Sequence, residues 1–311
     1  MGQLTTRYER YTLKSKDGQE IILSPEVSTT FGPYVGYSLI FLGYTLQFNN
    51  LYLGNTKKTF NISLYSALAG IDFYYRNTNE YKIKGLVITD NETGDAYDTS
   101  SLIGTDFNGL QVKSWGFNTY YIFNHRRHSY PAAYNQSTCQ KRSAGSPLIG
   151  IGYGHYDLSM DWSQLTEGQS RKISDEDISF TGDSLYNNFR YNCYSIYGGY
   201  SYNWVFARHW LLGASASMAI SYNHSHGDAV KLNTLNEVFN FSNLSIDGIG
   251  RMGIVWNNTR FFAGASGQIH SYTYSREQFT LNNLFGGFNV YFGINFGRKK
   301  DYRKPGKFFE F

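Results

Sequence analysis

The residues best suited to catalysis lie in one polar stretch, Tyr222-Asn223-His224-Ser225-His226-Gly227-Asp228. A serine nucleophile must lie within hydrogen-bond reach of its histidine base. His224 and Ser225 are adjacent, so in a strand their side chains point to opposite faces. His224 and His226 share a face, as two metal ligands would, but the stretch lacks an obvious third ligand. The pattern therefore favours the polar beginning of a loop that follows a strand. We expect no metal and no cofactor.

A second set of polar residues lies in or near stretches that are rich in apolar and small residues. Polar groups inside a folded protein need partners, so such residues predict either a satisfied network or a path for a ligand or ion. We favour a network that plugs the interior; a ligand path or a docking site for a partner's peptide is the alternative. The residues are Gln136, Gln140, Lys141, Arg142, Ser143 and Ser146 in one run, and Asp72, Arg76, Asp247 and Arg251 outside it.

The composition indicates a β protein. The 311 residues include 28 Tyr, 23 Phe and 5 Trp, with 32 Gly and only 5 Pro, and aromatic residues are enriched in strands. A net charge of +4 is too small and too dispersed to predict nucleic-acid binding. A hydrophobic fraction of 41% excludes disordered and collagen-like chains. The negative mean hydropathy would suggest a soluble protein, but the order of the residues does not.

Several segments alternate apolar residues with small or polar ones at a period of two, which predicts strands. The apolar parity of one segment is Trp210, Leu212, Ala214, Ala216, Met218, Ile220 and Tyr222. The same alternation occurs in 190–206, 244–256, 259–274 and 284–296. Strands with one lipid-facing side and one polar side are typical of transmembrane β-barrels. We therefore predict an all-β fold, a transmembrane antiparallel up-and-down β-barrel.

The lengths of the connections predict about ten strands. Short turns at 207–209 and 257–258 alternate with long polar loops at 161–187 and 224–237, as in outer-membrane barrels. The segment 128–160 is too long for one strand. We interpret it as a strand interrupted by an excursion; a hairpin there would raise the number to twelve.

The two ends of the chain are predicted to lie outside the barrel. We assign 1–30 to a periplasmic N-terminal extension, 31–297 to the barrel and 298–311 to a basic periplasmic tail. The first residues lack the apolar core of a signal peptide, so we expect a leader to precede this numbering. Cys139 and Cys193 are both predicted on the lumen side, as unpaired thiols.

One segment resembles a known family. Residues 120–153, YYIFNHRRHSYPAAYNQSTCQKRSAGSPLIGIGY, are similar to the Bacteroidota family called domain of unknown function 4421. The resemblance extends to SLYSALAGIDFYYRN (63–77) and GGFNVYFGINFG (286–297). It implies an outer-membrane barrel of the Bacteroidota envelope and implies no activity.

These observations predict location better than activity. A barrel of about ten strands is narrow, because open aqueous channels appear at sixteen or more. We predict a protein of the Gram-negative outer membrane with a non-enzymatic envelope role, either a narrow solute path or a scaffold subunit of a larger assembly. Its predicted partners are outer-membrane lipid and other outer-membrane or periplasmic proteins.

The alternative is an outer-membrane lipid hydrolase that uses His224 and Ser225. The stretch has a short, imperfect similarity to the YNHxSxG run of outer-membrane phospholipase A.

Overall fold

The computed structural model describes residues 1–15, 18–37, 40–43, 46–47, 58–88, 99–161, 188–225, 243–275 and 279–296. These residues form sixteen strands, one short α-helix and one 3-10 turn. Among them, no helix is long and apolar enough to cross a membrane.

The first half of the chain carries β1 (Gly2–Ser15), β2 (Glu20–Ser24), β3 (Ser28–Tyr37), β4 (Ile40–Gly43), β5 (Leu46–Gln47), β6 (Lys58–Tyr65), β7 (Ala69–Thr78), β8 (Tyr81–Val87), a 3-10 turn (Ser100–Leu102), β9 (Asp106–Phe107), β10 (Leu110–Ile122), α1 (Tyr130–Tyr134) and β11 (Ala144–Met160). The second half carries β12 (Asn188–Ala207), β13 (Trp210–Ser225), β14 (Leu244–Asn257), β15 (Phe261–Ser275) and β16 (Phe279–Ile294).

The long strands form one antiparallel sheet. β6 pairs with β7, β7 with β10, and β10 to β16 pair in chain order. β16 pairs with β1 from Gly2 to Ser15, so the first strand lies beside the last. The other edge of β1 pairs with β3 over Gly2–Arg7 and with β2 over Tyr11–Lys14. β2 and β3 thus lie in line along β1, with a break between them.

Contacts across the interior show that the sheet curls into a barrel. β7 and β14 are five strands apart in the sheet, about 24 Å if it were flat. Asp72 of β7 and Arg251 of β14 nevertheless form an ion pair. Asn118 of β10 likewise donates a hydrogen bond to the hydroxyl of Tyr272 on β15 at 3.5 Å. The sheet therefore wraps round an interior.

The outer face of the barrel is apolar on the predicted parity. Met218, Ile220 and Ile246 are 67%, 66% and 68% exposed, whereas the intervening positions Ser221 and Asp247 are almost fully buried. Exposed aromatic residues cluster where β12 meets β13: Trp204, Phe206 and Trp210. An outward apolar band with interfacial aromatics is what a transmembrane barrel presents to lipid. The predicted fold class is confirmed.

Two predictions about the architecture are wrong. Residues 1–30 are not an extension, because β1, β2 and the first residues of β3 lie in this range and belong to the sheet. In the described residues the sheet has sixteen strands, several of them short, rather than ten or twelve. Residues 20–47 form four short strands, and β6 and β7 are joined by a tight turn in which the Ser66 amide donates to the Ala69 carbonyl. The predicted tail, 298–311, lies outside the described residues.

The ends of the barrel differ in their connections. Turns at 208–209 and 258–260 connect strands at one end, here called the short-turn end. The opposite end, here called the long-loop end, receives the connections that include 162–187 and 226–242, which lie outside the described residues. The segment 128–160 contains one strand, β11, preceded by an excursion. The hairpin alternative is therefore wrong.

Candidate functional site in the barrel lumen

Residues 123–143 connect β10 to β11 at the short-turn end and are here called the plug, because their middle part, 128–136, is largely buried in the lumen. The four residues Tyr130, Pro131, Ala132 and Ala133 of α1 are buried, and Pro131 lies in the first turn, where proline is compatible with a helix. Glycine in the wall allows this close approach. A Cβ atom at Gly213 would lie 2.6 Å from the Cβ of Ala133, and one at Gly253 would lie 3.1 Å from its carbonyl oxygen.

Side-chain hydrogen bonds fasten the plug to the wall. Asn203 of β12 donates from Nδ2 to the Ser129 carbonyl and to Oε1 of Gln140, both at 2.8 Å. Gln136 has a φ of 62°, in the left-handed region, which is uncommon for a residue other than glycine. Its Nε2 donates to the Tyr291 hydroxyl at 2.9 Å. The plug is therefore an integrated part of the lumen.

Above the plug lies a buried ion pair between Arg251 and Asp72, whose side chains are 5% and 12% exposed. Nη1 of Arg251 donates to the hydroxyls of Tyr120 at 3.0 Å and Tyr130 at 2.7 Å. Asp72 also accepts from the Tyr65 hydroxyl at 2.9 Å. Burying two charges is costly unless further hydrogen bonds satisfy them. The three tyrosine hydroxyls supply those bonds.

A second charged pair joins β7 to β1. Arg76 approaches Glu9 of β1 at 3.7 Å, and both side chains are nearly buried. The guanidinium carbon of Arg76 lies 3.4 Å from the ring centre of Phe285, a cation–π geometry. The Tyr11 hydroxyl donates to the Glu9 carboxylate.

Asp247 occupies a separate polar cluster. It accepts hydrogen bonds from the Ser221 hydroxyl and from the Thr273 amide, the latter at 3.0 Å. Ser221 is also hydrogen-bonded to Ser195 at 2.8 Å. Among the described residues, these contacts give the carboxylate polar partners but no cation.

The long-loop end of the lumen is filled by a hydrophobic core. β8 and the 3-10 turn contribute side chains that pack on the inward faces of β1, β10, β11 and β12. The fully buried large members are Tyr11, Leu23, Tyr81, Ile83, Leu102, Phe107, Leu110, Leu158 and Met160. Tyr156 and Tyr191 stack with ring centres 4.7 Å apart. Within the described residues, the lumen is thus filled at both ends.

Between these layers a cavity of about 210 Å³ remains. It is lined by β1, β6, β15 and β16, with Arg76 and Arg251 at its side and Tyr134 and Asn135 of the plug at its base. Tyr8 and Glu26 also line it, so the cavity reaches the outer surface of the wall at the break between β2 and β3.

The predicted lumen residues are only partly brought together. Asp72, Arg251, Gln136, Ser146 and Asp247 are buried, Arg76 and Gln140 are partly buried, and Asp72 pairs with Arg251. Lys141, Arg142 and Ser143 are exposed, so the prediction that they line the lumen is wrong. The chain has left the lumen before β11 begins, which keeps the two cations in water and avoids their desolvation.

Several important side chains were missed by the sequence analysis. Tyr65, Tyr120 and Tyr130 surround the ion pair, and Glu9 pairs with Arg76. Tyr120 shares the parity of Gly116 and Asn118, the small and polar face of β10. A tyrosine on that parity is the signal that separates a lumen tyrosine from a lipid-facing one.

The candidate catalytic stretch does not form a site in the described residues. His224 is exposed, and Ser225 occupies the opposite register position of β13. His226 lies outside the described residues. Within the part of the chain that the structure describes, no group of His, Cys, Asp or Glu side chains is arranged to hold a metal ion. Cys139 and Cys193 are free thiols, as predicted.

An antiparallel barrel with an apolar outer band and an internal plug defines the class of plugged transmembrane β-barrels. Within that class, the chain belongs to the family described as Domain of unknown function (DUF4421), which matches residues 1–296. The resemblance read from residues 120–153 is therefore confirmed. No curated protein matches the sequence significantly.

Remote likenesses exist among solved structures. The β domain of the Bordetella autotransporter BrkA is 9% identical with a TM-score of 0.41, covering 93% of this chain and 98% of that one. The Pseudomonas putida toluene transporter TodX is 8% identical with a TM-score of 0.29, covering 93% and 88%. OmpT, an outer membrane protein of Vibrio cholerae, is 8% identical with a TM-score of 0.24, covering 94% and 97%.

Proposed function

We propose that this protein is an outer-membrane barrel that is closed to solutes and has a structural role, as a scaffold subunit of an envelope assembly. The observation that carries the proposal is the filling of the lumen. The plug occupies the short-turn end, the Asp72–Arg251 pair crosses the middle, and a hydrophobic core occupies the long-loop end.

The outer membrane follows from the chemistry of the barrel surface. Only helices and closed barrels satisfy the backbone groups that cross a bilayer, and barrels of this kind are outer-membrane structures. Residues such as Ile196 and Met218, which are 65% and 67% exposed, would be buried by lipid. Lipid is therefore the first expected partner.

Planar-bilayer recordings test closure. We expect the reconstituted protein to be electrically silent. We expect a variant in which residues 128–141 are replaced by a short Gly-Ser linker to remain silent as well, because the hydrophobic core still fills the long-loop end. A steady conductance in the unaltered protein would overturn the proposal and favour a narrow solute path instead.

The scaffold role is tested by purification from the outer membrane of the cell that makes the protein. We expect a stoichiometric protein partner after chemical cross-linking and mild extraction. Isolation of the barrel alone, at every detergent concentration tried, would contradict the role.

A phospholipid hydrolysis assay tests the enzymatic alternative. We expect no turnover above a heat-denatured control. Turnover that is lost in Ser225→Ala would favour the hydrolase and overturn the structural role.

A further inference from the structure

The short-turn end of the barrel presents a surface of one charge sign, here called the basic face. The turns and the plug at this end, residues 66–68, 123–143, 208–209 and 258–260, contain no Asp or Glu. Six exposed cations lie in these segments: Arg126, Arg127, Lys141, Arg142, Arg208 and Arg260. Within the described residues, none of the six forms an ion pair. The basic face therefore has no countercharge in this part of the chain.

Positive charge is concentrated at this end rather than spread over the molecule. The formal net charge of the whole chain is +4, which is less than the charge of the six cations alone. In sequence, the segment 162–187 between strands at the long-loop end contains five acidic and two basic residues. Like charges on one surface repel each other and produce a potential that attracts groups of the opposite sign. The short-turn end is thus the end that attracts an acidic partner.

The plug places part of the basic face at the mouth of the lumen. Cys139 lies beside the end of β14, where its Sγ donates to the carbonyl of the last residue of that strand at 3.9 Å. Ser143 lies beside β12, where its Oγ accepts from the Val205 amide at 2.9 Å. The segment between them crosses the mouth inside the ring of strand ends, with Lys141 and Arg142 exposed. Because lipid covers the outer surface of a barrel, these two cations face water and meet a soluble partner.

The backbone that carries these cations is held in place. Nε2 of Gln140 donates to the Arg142 carbonyl at 2.7 Å. Oε1 of the same side chain accepts from the Ser129 amide at 2.8 Å and from Asn203 of the wall at 2.8 Å. A binding surface that is already ordered loses less conformational freedom when a partner binds. The plug therefore presents Lys141 and Arg142 from a fixed position.

From these observations we propose that the basic face is a docking surface for an acidic segment of a periplasmic protein, in which Asp or Glu side chains are clustered. Outer-membrane barrels carry their short turns on the periplasmic side, which is the compartment of such a partner. Five of the six cations are arginines, and arginine binds carboxylates through two parallel hydrogen bonds. This inference rests on the structural role proposed above, because it names the surface by which the barrel holds its partner.

Fluorescence anisotropy of a labelled deca-glutamate peptide tests the proposal with the folded full chain in a nonionic detergent. We expect saturable binding at low salt that weakens at least about tenfold at high salt, because salt screens exposed charges. A labelled deca-glutamine peptide of the same length should not bind. Absence of saturable binding by the glutamate peptide would overturn the proposal.

Charge-reversal variants locate the binding surface. We expect the double variant Lys141→Glu with Arg142→Glu to bind the glutamate peptide at least about tenfold more weakly, because two attractions become repulsions. The matched control is Lys84→Glu with Lys113→Glu, at two exposed lysines of β8 and β10 outside the basic face. It changes the net charge equally and should bind within about twofold of the unaltered protein. Equal weakening of both folded double variants would show a response to net charge alone and overturn the proposal.

A lipid arm separates an acidic protein segment from a lipid headgroup. Dihexanoyl phosphatidylglycerol, used below its micellar concentration, replaces the peptide in the same titration. Binding of this lipid without binding of the glutamate peptide would assign the basic face to a lipid surface and overturn the proposal.

Cross-linking in the cell separates this inference from the structural role itself. We expect the Lys141→Glu, Arg142→Glu variant to lose the stoichiometric partner that the unaltered protein retains. If the variant retains that partner in full, the docking surface is wrong and the structural role stands. If the unaltered protein binds the glutamate peptide through the basic face but yields no partner, the surface stands and the structural role is wrong.

Discussion

The buried Asp72–Arg251 pair is the residue-level feature on which the middle of the lumen depends. We expect Arg251→Met to reduce the free energy of unfolding by about 3 to 5 kcal/mol, because Asp72 is left buried without a counter-charge. Adding Asp72→Leu to that variant should recover part of the loss, since no charge is then stranded. Denaturant titrations in detergent measure both; a double variant less stable than Arg251→Met would contradict this account.

Two glycines show that the inner face of the barrel wall is crowded and its outer face is open. A Cβ atom at Gly116 would clash with the Tyr153 carbonyl and lie 2.6 Å from the Tyr74 hydroxyl, whereas one at Gly198 would meet nothing within 4 Å. We expect Gly116→Ala to cost about 1 to 3 kcal/mol through overpacking, and the matched Gly198→Ala to change stability by about 0.5 kcal/mol or less. Equal unfolding midpoints for the two variants would refute this.

The two thiols should differ in reactivity. Burial raises the pKa of the Cys139 thiol, so less of it is thiolate at pH 7 and its labelling is slowed. We expect a water-soluble maleimide to label Cys139 slowly at pH 7 and faster at pH 9, and to label Cys193, which is 5% exposed, only after unfolding. Mass spectrometry counts the labels, and Cys139→Ser should remain unlabelled until it unfolds.

At the residue scale, alternation predicts which face a side chain occupies but not which partner it meets. Asp247 and Arg251 were correctly assigned inward, yet they do not pair with each other. Arg251 meets Asp72, which is 179 positions away in sequence. Whether two inward-facing residues meet depends on the number of strands between them, and that number was not predicted correctly.

At the scale of elements, the strands of the second half were predictable and β1 was not. From 190 to 296, one parity is apolar because it faces lipid. β1 carries charge on both parities, with Arg7 and Glu9 inward and Arg10 and Lys14 on the opposite parity. The alternation that marks the other strands is therefore absent from β1. Backbone pairing with β16, which extends over the whole of β1, holds this strand in the sheet instead.

The plug was predictable as an excursion, but its fit depends on packing that the sequence does not reveal. Ala133 is completely buried and lies against Gly213 and Gly253. We expect Ala133→Leu to displace α1 and to lower the free energy of unfolding by about 1 to 3 kcal/mol, as measured by denaturant titration. Ala214→Leu, on the lipid-facing parity of β13, is the control and should keep the stability of the unaltered protein. An Ala133→Leu variant of normal stability would show that the plug tolerates the added volume.

On the scale of the whole molecule, the apolar outer band should determine membrane insertion. We expect Met218→Lys, near the middle of β13, to destabilise the barrel in lipid vesicles by about 2 to 4 kcal/mol, and Gln111→Lys, near the end of β10, by about 0 to 1 kcal/mol. Unfolding titrations in vesicles compare the two. A cost for Gln111→Lys as large as that for Met218→Lys would contradict the position of the band.

The pairing of β1 with β16 also has a consequence for biosynthesis. Gln3 and Asn289, joined across this seam by a hydrogen bond of 2.9 Å, are 286 positions apart. β1 is made long before β16 and must therefore wait, with one edge unpaired, until β16 reaches it. Exposed edges attract other strands and chaperones, so a chain interrupted before β16 would remain open at both sides of the seam. Pairing of β1 with β16 thus distinguishes a completed barrel from an incomplete one.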